Sequence, residues 1–589
     1  MHILFKDKKS HFLDCKNTFT VDATGDSVVL LLKDYIIYYN RRGGCKMSKE
    51  FLSVLRKPDR VIGSVEGSPF RFEERENECE SPVKYEYKVE KNSAKVIVYP
   101  SGSPVKFLKL RFDGDHYFVE KALGDQWERC CVSTYIPFEW KSLMPSRVMP
   151  WYMCLYAEGR SAFYGIKTGP DCLAFWMADT HGVTLFLNLQ NGSRGTDLKE
   201  PIVACEVVEY FSQEGESTYK AAQKFARIMC DKPVMPKTPI FGVNNWYWAY
   251  GRISRETTKV ETKQLMEMTD GTKNKPYMIL DDGWQLNRGF VPGGTYNGGP
   301  WIPNEKFGNM KDTVDDINAA GAKAGIWYRP LRTIGDIPEE AAFFKEGCAL
   351  TLDPSHPFTL EKLYNDASMI RSWGFDILKH DFTLNDITGL NSVYSLFYNG
   401  NLQPGRQFYD NTKTTAMIYK DMLKAIQKGA GDADVISCNT LSHISAGIHS
   451  IYRTGGDTSG RYWEMTMHNG FNSMMRLPQN GAFHLVDPDC APFTERVNCD
   501  LSLDFLEVCA LCGMTTLASV KPGILNEKQM ARINEIYRLA DSNTEFYEIG
   551  DYDRIAIPER FISPDGTKEK HYDWMSEYGG TRYIMSWEN

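Results

Sequence analysis

Five short polar clusters in the 589-residue sequence each follow an apolar run and carry groups able to do chemistry. They are Asp281-Asp282-Gly283-Trp284, Lys379-His380-Asp381, Cys438-Asn439, Arg453-Thr454-Gly455-Gly456-Asp457 and Asp487-Pro488-Asp489. Asp381 and Asp457 suit a carboxylate pair flanking a glycosidic bond, the first as nucleophile and the second as acid and then base. A retaining pair of this kind sits about 5–5.5 Å apart. Lys379 lies two residues before Asp381 and shares its face of a strand. Its charge is expected to hold Asp381 ionised. Asp457 needs the opposite treatment, a raised pKa, to which an ionised Asp381 contributes. Arg453 is placed either to orient Asp457 or to bind substrate. Asp281 and Asp282 suit recognition of adjacent sugar hydroxyls, since each carboxylate accepts from more than one donor. Trp284 is expected to wall the pocket. A divalent metal at Asp281-Asp282 is the competing reading, but no second ligand cluster has convincing spacing and histidines number 11. No metal or other cofactor is implied.

The elements that must position these residues are legible as texture. Past residue 240, short apolar runs alternate with helical patterns. Strands read over 240–248, 277–281, 324–328, 375–380, 435–438, 448–452, 482–486 and 515–520, and helices over 254–268, 310–320, 359–373, 415–428 and 526–539. Eight β-α units match a (β/α)8 TIM barrel over 240–543, in which catalytic groups lie at the C-terminal ends of strands, where all five clusters fall. A doubly wound open sheet is the structural alternative. Residues 1–230 read as a β domain, with strands at 27–32, 35–39, 95–99 and 105–112 and a helix over 217–229 at its end. Three prolines (Pro233, Pro236 and Pro239) mark 231–239 as a linker. Residues 544–589 read as a short C-terminal β region ending in Arg582-Tyr583-Ile584-Met585-Ser586-Trp587.

Composition narrows the function classes. Hydrophobic residues make up 42% and charged residues 24%, a globular balance spread over more than one core. A net charge of -8 argues against nucleic acid or an anionic membrane as partner. Aromatics reach 13%, with 13 Trp, which suits stacking on pyranose rings but equally suits a large β-rich core. The 15 cysteines lack the spacing of a disulfide framework, and Cys509 and Cys512 lie in an apolar run as expected of buried thiols. No apolar run approaches a membrane span, and the start lacks the h-region of a signal peptide. Taken as written the chain is expected in the cytoplasm, although a secretion signal already removed is consistent with the same start.

In order along the chain, 277–284 (Y-M-I-L-D-D-G-W), 325–327 (G-I-W), 378–381 (L-K-H-D), Ser437-Cys438-Asn439 and 453–457 (R-T-G-G-D) resemble the clan D glycoside hydrolases, the α-galactosidases of families 27 and 36. Asp487-Pro488-Asp489 is similar to a D-P-D segment of family 27. A β-sandwich ahead of the barrel is a family 36 trait. The resemblance implies cleavage of terminal α-D-galactosyl residues by double displacement, with an oligosaccharide or glycoconjugate as substrate; homo-oligomers are left open. It implies Asp381 as nucleophile and Asp457 as acid/base. Asp281 and Asp282 would hold the sugar's O4 and O6, and Lys379, Arg453, Trp284 and Trp327 would bind substrate. Cys438 and Asn439 would lie near the 2-position.

Three features depart from the pattern. Arg329 stands where many relatives carry an acid, the glycine-rich fifth-strand motif of family 36 is replaced by Asn439-Thr440-Leu441-Ser442-His443, and the C-terminal sheet is short. N-acetylgalactosamine and β-L-arabinopyranose therefore stay open as sugars. Asp281-Asp282-Gly283-Trp284-Gln285 also resembles raffinose synthases, which implies galactosyl transfer as an alternative. Two rivals leave this chemistry. A Schiff base on Lys379 needs a lowered pKa, which a neighbouring acid opposes. Sugar binding without catalysis leaves both carboxylates unused.

Overall fold

The structure is a computed structural model that describes residues 50–67, 81–128, 140–143, 147–286, 297–346, 349–388 and 406–575, together with the backbone of four strands within 9–40. Those four (Lys9–Asp14, Asn17–Thr24, Ser27–Leu32 and Tyr35–Asn40) pair in sequence order as an antiparallel sheet. Two further antiparallel sheets follow. One has five strands in the order Met149–Pro150, Leu173–Asp179, Gly182–Asn188, Val105–Asp113 and Arg60–Val65. The other has six, in the order Tyr85–Val89, Ala94–Val98, Ile202–Phe211, Arg160–Ile166, Tyr152–Ala157 and Lys121–Gly124. Alternate residues of Ala94–Val98 are buried, as period-2 patterning requires of a strand with one face on a core. The two sheets meet through aromatic pairs, Tyr164 with Trp176 at 6.1 Å and Tyr87 with Phe112 at 5.8 Å, so the arrangement is sandwich-like.

The remainder is built on one parallel sheet. Its strands run in the order Leu485–Asp487, Ile451–Arg453, Asp434–Ser437, Ile377–His380, Lys323–Tyr328, Tyr277–Leu280, Phe241–Asn244, Thr516–Val520 and Cys490–Phe493. The first seven strands in sequence are neighbours in order, and Thr516–Val520, the eighth strand when Cys490–Phe493 is counted as a continuation of the seventh, lies beside the first. Thr515 N–H donates to the Val486 carbonyl at 3.0 Å, linking the eighth strand to the seventh. This is a TIM-barrel-like arrangement. Ile240, Tyr277, Ile279, Ile377, Ile436, Ile451 and Leu517 fill its inside. The opposite faces of the strands lie under amphipathic helices, such as Arg255–Met268, Met310–Ala320 and Thr415–Ala430, capped by Ser254, Asn309 and Thr414.

Several elements differ from the sequence reading. The run 240–248 splits into the strand Phe241–Asn244 and a short helix Trp246–Ala249, because the Asn244 side chain accepts from the Trp246 N–H and turns the chain. The seventh strand breaks at Asp487-Pro488-Asp489, where Asp489 takes a left-handed φ of 67°, and resumes as Cys490–Phe493 beside the eighth. A small antiparallel sheet (Arg332–Thr333, Ala349–Leu352 and Ala342–Glu346) has no counterpart in the reading. At the C-terminal end, Glu548–Ile549, Arg560–Ile562 and Glu569–His571 form three short antiparallel strands, and 582–587 lies outside the described residues. No helix among the described residues is long and apolar enough to cross a membrane.

The sandwich-like sheets pack on the barrel through polar groups. The His443 ring stacks on Trp151 at 5.2 Å with 3° between planes, and its Nε2 bonds the Ile166 carbonyl at 2.9 Å. Arg476 donates to Asp125 at 3.0 Å and to the Thr454 carbonyl at 2.7 Å, and all three residues are buried. Burial pushes His443 down to about 4 and His484 to about 3. Each is neutral in the folded protein but titrates near 6.5 when unfolded, so its contribution is fully present above that value and is lost as pH falls toward the folded pKa. Stability is therefore expected to fall by about 1.4 kcal/mol per pH unit for each such histidine between about pH 6 and 4.5. His443→Gln keeps a donor for Ile166 and should flatten the plot of urea midpoint against pH by one histidine's share; an unchanged slope would contradict the assignment.

Candidate active site at the barrel mouth

Alternation along the fourth strand decides which residues enter the barrel. Lys379 points inward and its ammonium lies 2.8 Å from Asp281 Oδ2 at the end of the second strand. His380 points the other way, where it meets His449 and Ser437 beneath the helix Thr415–Ala430. Lys379 and Asp281 are each more than nine-tenths buried. Burial is the largest influence and works against the lysine's charge, but Asp281, Cys438 and Asp489 together outweigh it and hold Lys379 above its ordinary range. Asp281 Oδ2 also accepts from Asn244 Nδ2 at 2.7 Å, its backbone N–H donates to Asn245 Oδ1 at 3.0 Å, and its Oδ1 accepts from the Asp282 N–H at 2.9 Å. Asp282 accepts from Gln285 Nε2 at 2.6 Å. Between them Gly283 has a φ of 129°, and a Cβ there would lie 2.5 Å from the Gly251 carbonyl oxygen, so only glycine fits.

The lysine's cation therefore pairs with Asp281, contrary to the expectation that it serves Asp381. Asp381 is oriented by two N–H groups instead: Phe382 N–H to Oδ1 at 2.7 Å and the Trp327 indole to Oδ2 at 3.2 Å. Trp284 also departs from its expected place. It is fully buried against Trp301 and Trp373, and its indole N–H donates to the Trp327 carbonyl at 2.8 Å. It backs Trp327 and does not wall a pocket. Trp327 is the tryptophan that touches an acid of the site.

Arg453 ends the sixth strand fully buried. Its Nη2 reaches Asp457 Oδ1 at 2.8 Å, the Gly456 carbonyl at 2.8 Å and Asp489 Oδ2 at 3.0 Å, and its Nη1 lies 3.8 Å from Cys438 Sγ. Asp457 is about half exposed, at 49%. The loop depends on Gly455, where a Cβ would fall 1.4 Å from Asn469 Oδ1. At the end of the fifth strand Asn439 has a left-handed φ of 53°, and neither atom of its buried amide has a partner among the described residues. Such a group is costly unless a ligand or water meets it. Arg329 pairs with Asp386 through both nitrogens of its fork, with Nε to Oδ2 at 2.9 Å, and stacks over Phe382 at 4.4 Å.

Other groups at this end escaped the sequence reading. Asn244 and Asn245 hold Asp281, while Tyr247 donates its hydroxyl proton to Asp489. Trp246 and Tyr250, 5.6 Å apart and half-buried, cap the apolar inside of the barrel, and Arg461 lies 4.3 Å over Tyr250. The signal was available: Asn244 ends the first strand and Asn245-Trp246-Tyr247 directly follows it, as the other clusters follow theirs. No group of three or more His, Cys, Asp or Glu among the described residues is arranged to hold a metal ion.

Replacing Lys379 by Met leaves Asp281 as a buried charge without its cation. The expected cost is about 3–5 kcal/mol of unfolding free energy, measured by urea denaturation. Lys379→Met combined with Asp281→Leu removes both charges of this pair and should recover most of that loss. A double variant no more stable than the single one would show that the pair is not the source of the cost.

No protein-family model matches the sequence, and no curated protein matches it. Solved structures do. The α-galactosidase TtGalA from Thermus thermophilus, in complex with p-nitrophenyl α-D-galactopyranoside, superimposes with a TM-score of 0.56 at 14% identity over 83% of this chain and 95% of its own. A point variant of the GH36 α-galactosidase AgaA from Geobacillus stearothermophilus, in complex with 1-deoxygalactonojirimycin, gives 0.55 at 15% identity over 95% of this chain and 90% of its own. The galactosidase domain of the α-galactosidase-sucrose kinase AgaSK gives 0.55 at 13% over 95% and 89%. The chain thus has the fold of the GH36 α-galactosidases.

Proposed function

We propose that this protein is a retaining glycoside hydrolase that releases terminal α-D-galactosyl residues, with residues 240–543 as its catalytic unit. The observation that carries the reading is the placement of two carboxylates, Asp381 after the fourth strand and Asp457 after the sixth, at one end of a TIM-barrel-like sheet whose fold neighbours are α-galactosidases. TtGalA and the AgaA variant are seen with galactose-type ligands, which supports a galactosyl group as substrate.

In this reading Asp457 donates a proton to the glycosidic oxygen as the Asp381 carboxylate attacks the anomeric carbon. The bond to the leaving group breaks and a glycosyl-aspartate ester forms. Asp457, now ionised, takes a proton from water, which attacks the same carbon and frees Asp381. The two N–H groups on Asp381 fix the direction of attack without a full countercharge that would blunt its nucleophilicity. Asp281 and Asp282 accept from sugar hydroxyls, and Lys379, locked on Asp281, presents its remaining protons to the ring. The Asn439 amide gains a partner when a polar group at the sugar's 2-position arrives. Trp246 and Tyr250 offer apolar faces to the pyranose.

The test is p-nitrophenol release from a panel of α- and β-glycosides, wild type beside Asp381→Asn. Turnover of the α-galactoside is expected, falling at least about 1,000-fold in the variant, equivalent to roughly 4 kcal/mol of transition-state stabilisation. Full activity in Asp381→Asn would remove it as nucleophile. Turnover confined to the N-acetyl-α-galactosaminide or the β-L-arabinopyranoside would keep the mechanism and replace the sugar. Products formed only with an added acceptor sugar would replace hydrolysis by galactosyl transfer.

A further inference from the structure

A feature of the seventh strand is not used by the chemistry above. Asp489 Oδ2 gathers donors from three directions: Arg453 Nη2 at 3.0 Å, the Thr458 N–H at 3.0 Å with its hydroxyl at 3.3 Å, and the Tyr247 hydroxyl. Arg453 and Thr458 bracket the loop that carries Asp457. We propose that Asp489 is a positioning residue for Asp457, clamping both ends of the 453–458 loop and absorbing the Arg453 charge that would otherwise keep Asp457 ionised. The proposal rests on Asp457 being the acid/base.

The physical case starts from a conflict. A general acid must hold its proton near the working pH, yet an arginine 2.8 Å away favours the ionised form. Arg453 is shared. Its pairing with Asp489 is between two residues each less than a tenth exposed, whereas Asp457 is 49% exposed and screened by water. Burial opposes the Arg453 charge, and among the groups that raise it Asp489 comes first, ahead of Tyr247, Cys438 and Asp457. The cation thus leans toward the deeper acid. It retains enough of Asp457 to aim it.

The other charged or titratable groups around this loop come from every neighbouring strand. Tyr247 lies after the first and interacts electrostatically with Asp457, and Lys379 and Asp381 belong to the fourth. Cys438 ends the fifth, and Asp487 precedes Asp489 on the seventh. Lys379 is committed to Asp281, and burial raises the Asp487 carboxyl. Among the described residues Arg453 is a cation bonded to Asp457, and Asp489 is the carboxylate that shares it.

The experiment is the pH profile of kcat/KM for Asp489→Asn, read on p-nitrophenyl α-galactoside and on a galactoside with a sugar leaving group. Removing the Asp489 charge gives Arg453 over to Asp457, so the alkaline limb is expected to move about one unit toward acid. Activity on the sugar-leaving substrate should fall about tenfold more than on the activated one, which needs little proton transfer. Asp489→Glu keeps the charge and should restore the limb. A uniform loss on both substrates with the limb unmoved would overturn the proposal and leave Asp489 a purely structural clamp. Where Asp489→Asn does not fold, Arg453→Met combined with Asp489→Leu removes both charges of that pair, and its limb should lie at higher pH than the wild type's; a limb moved to lower pH overturns the proposal equally. Asp457→Ala separates the two levels: an alkaline limb that persists there means the acid/base assignment itself has failed.

Discussion

Lys379 and Arg453 are buried at the mouth of this barrel, and the arrangement around them follows from the cost of hiding charge. Lys379 and Arg453 are each almost fully covered, and an uncompensated buried charge costs several kcal/mol. Lys379 is neutralised by Asp281, Arg453 by Asp489 and Asp457. Those carboxylates in turn need their remaining lone pairs met. Asn244 and the Asp282 N–H therefore converge on Asp281, and Tyr247 and Thr458 on Asp489. Five strand ends, those of the first, second, fourth, sixth and seventh strands, are tied together by these demands. Asp381 stands outside this web of ion pairs. Among the described residues it receives only N–H groups, which orient a carboxylate without matching its charge.

The sandwich-like region is coupled to the same end of the barrel. Arg476 bridges Asp125 to the Thr454 carbonyl, at the start of the loop that carries Asp457. Gln479 adds a bond to the other oxygen of Asp125 and another to the Tyr152 hydroxyl. His443, stacked on Trp151, fixes the segment that follows Asn439. Two loops at the mouth thus take part of their shape from residues far earlier in the chain. This gives residues before 230 a physical role that needs no ligand of their own.

The departures from the clan D pattern also find structural reasons. Arg329 is matched by Asp386 in the short helix after the fourth strand, so a charge reversed at one position is answered at another. The fifth-strand glycine motif gives way to Asn439, which bears a left-handed φ that Asn tolerates better than most residues and supplies an amide that glycine lacks. A smaller or more polar 2-substituent would be met differently by such an amide than by a glycine-lined space.

What the sequence by itself determined is what depends on near neighbours. Alternating and apolar runs located the eight barrel strands to within a few residues, and helical texture placed segments such as 254–268 and 310–320. Period 2 put Lys379 and Asp381 on one face of the strand. The clusters that follow the strands were visible because polar groups rarely follow apolar runs in such regular order. Partnership was decided only by the tertiary structure. Lys379 has acids at sequence distances of 2 and 98, and barrel register gave it to the distant Asp281. Trp284 looked like a pocket wall from its place after two acids, but the turn at Gly283 sends it into the core. Asp489 was legible as one acid of the polar D-P-D cluster but without partners, because Arg453, Thr458 and Tyr247 meet it only when the first, sixth and seventh strands close on one another. Local pattern sets where the backbone goes, whereas the pairing of buried charges is set by which strand ends share a low-dielectric space, and that is a property of the closed sheet.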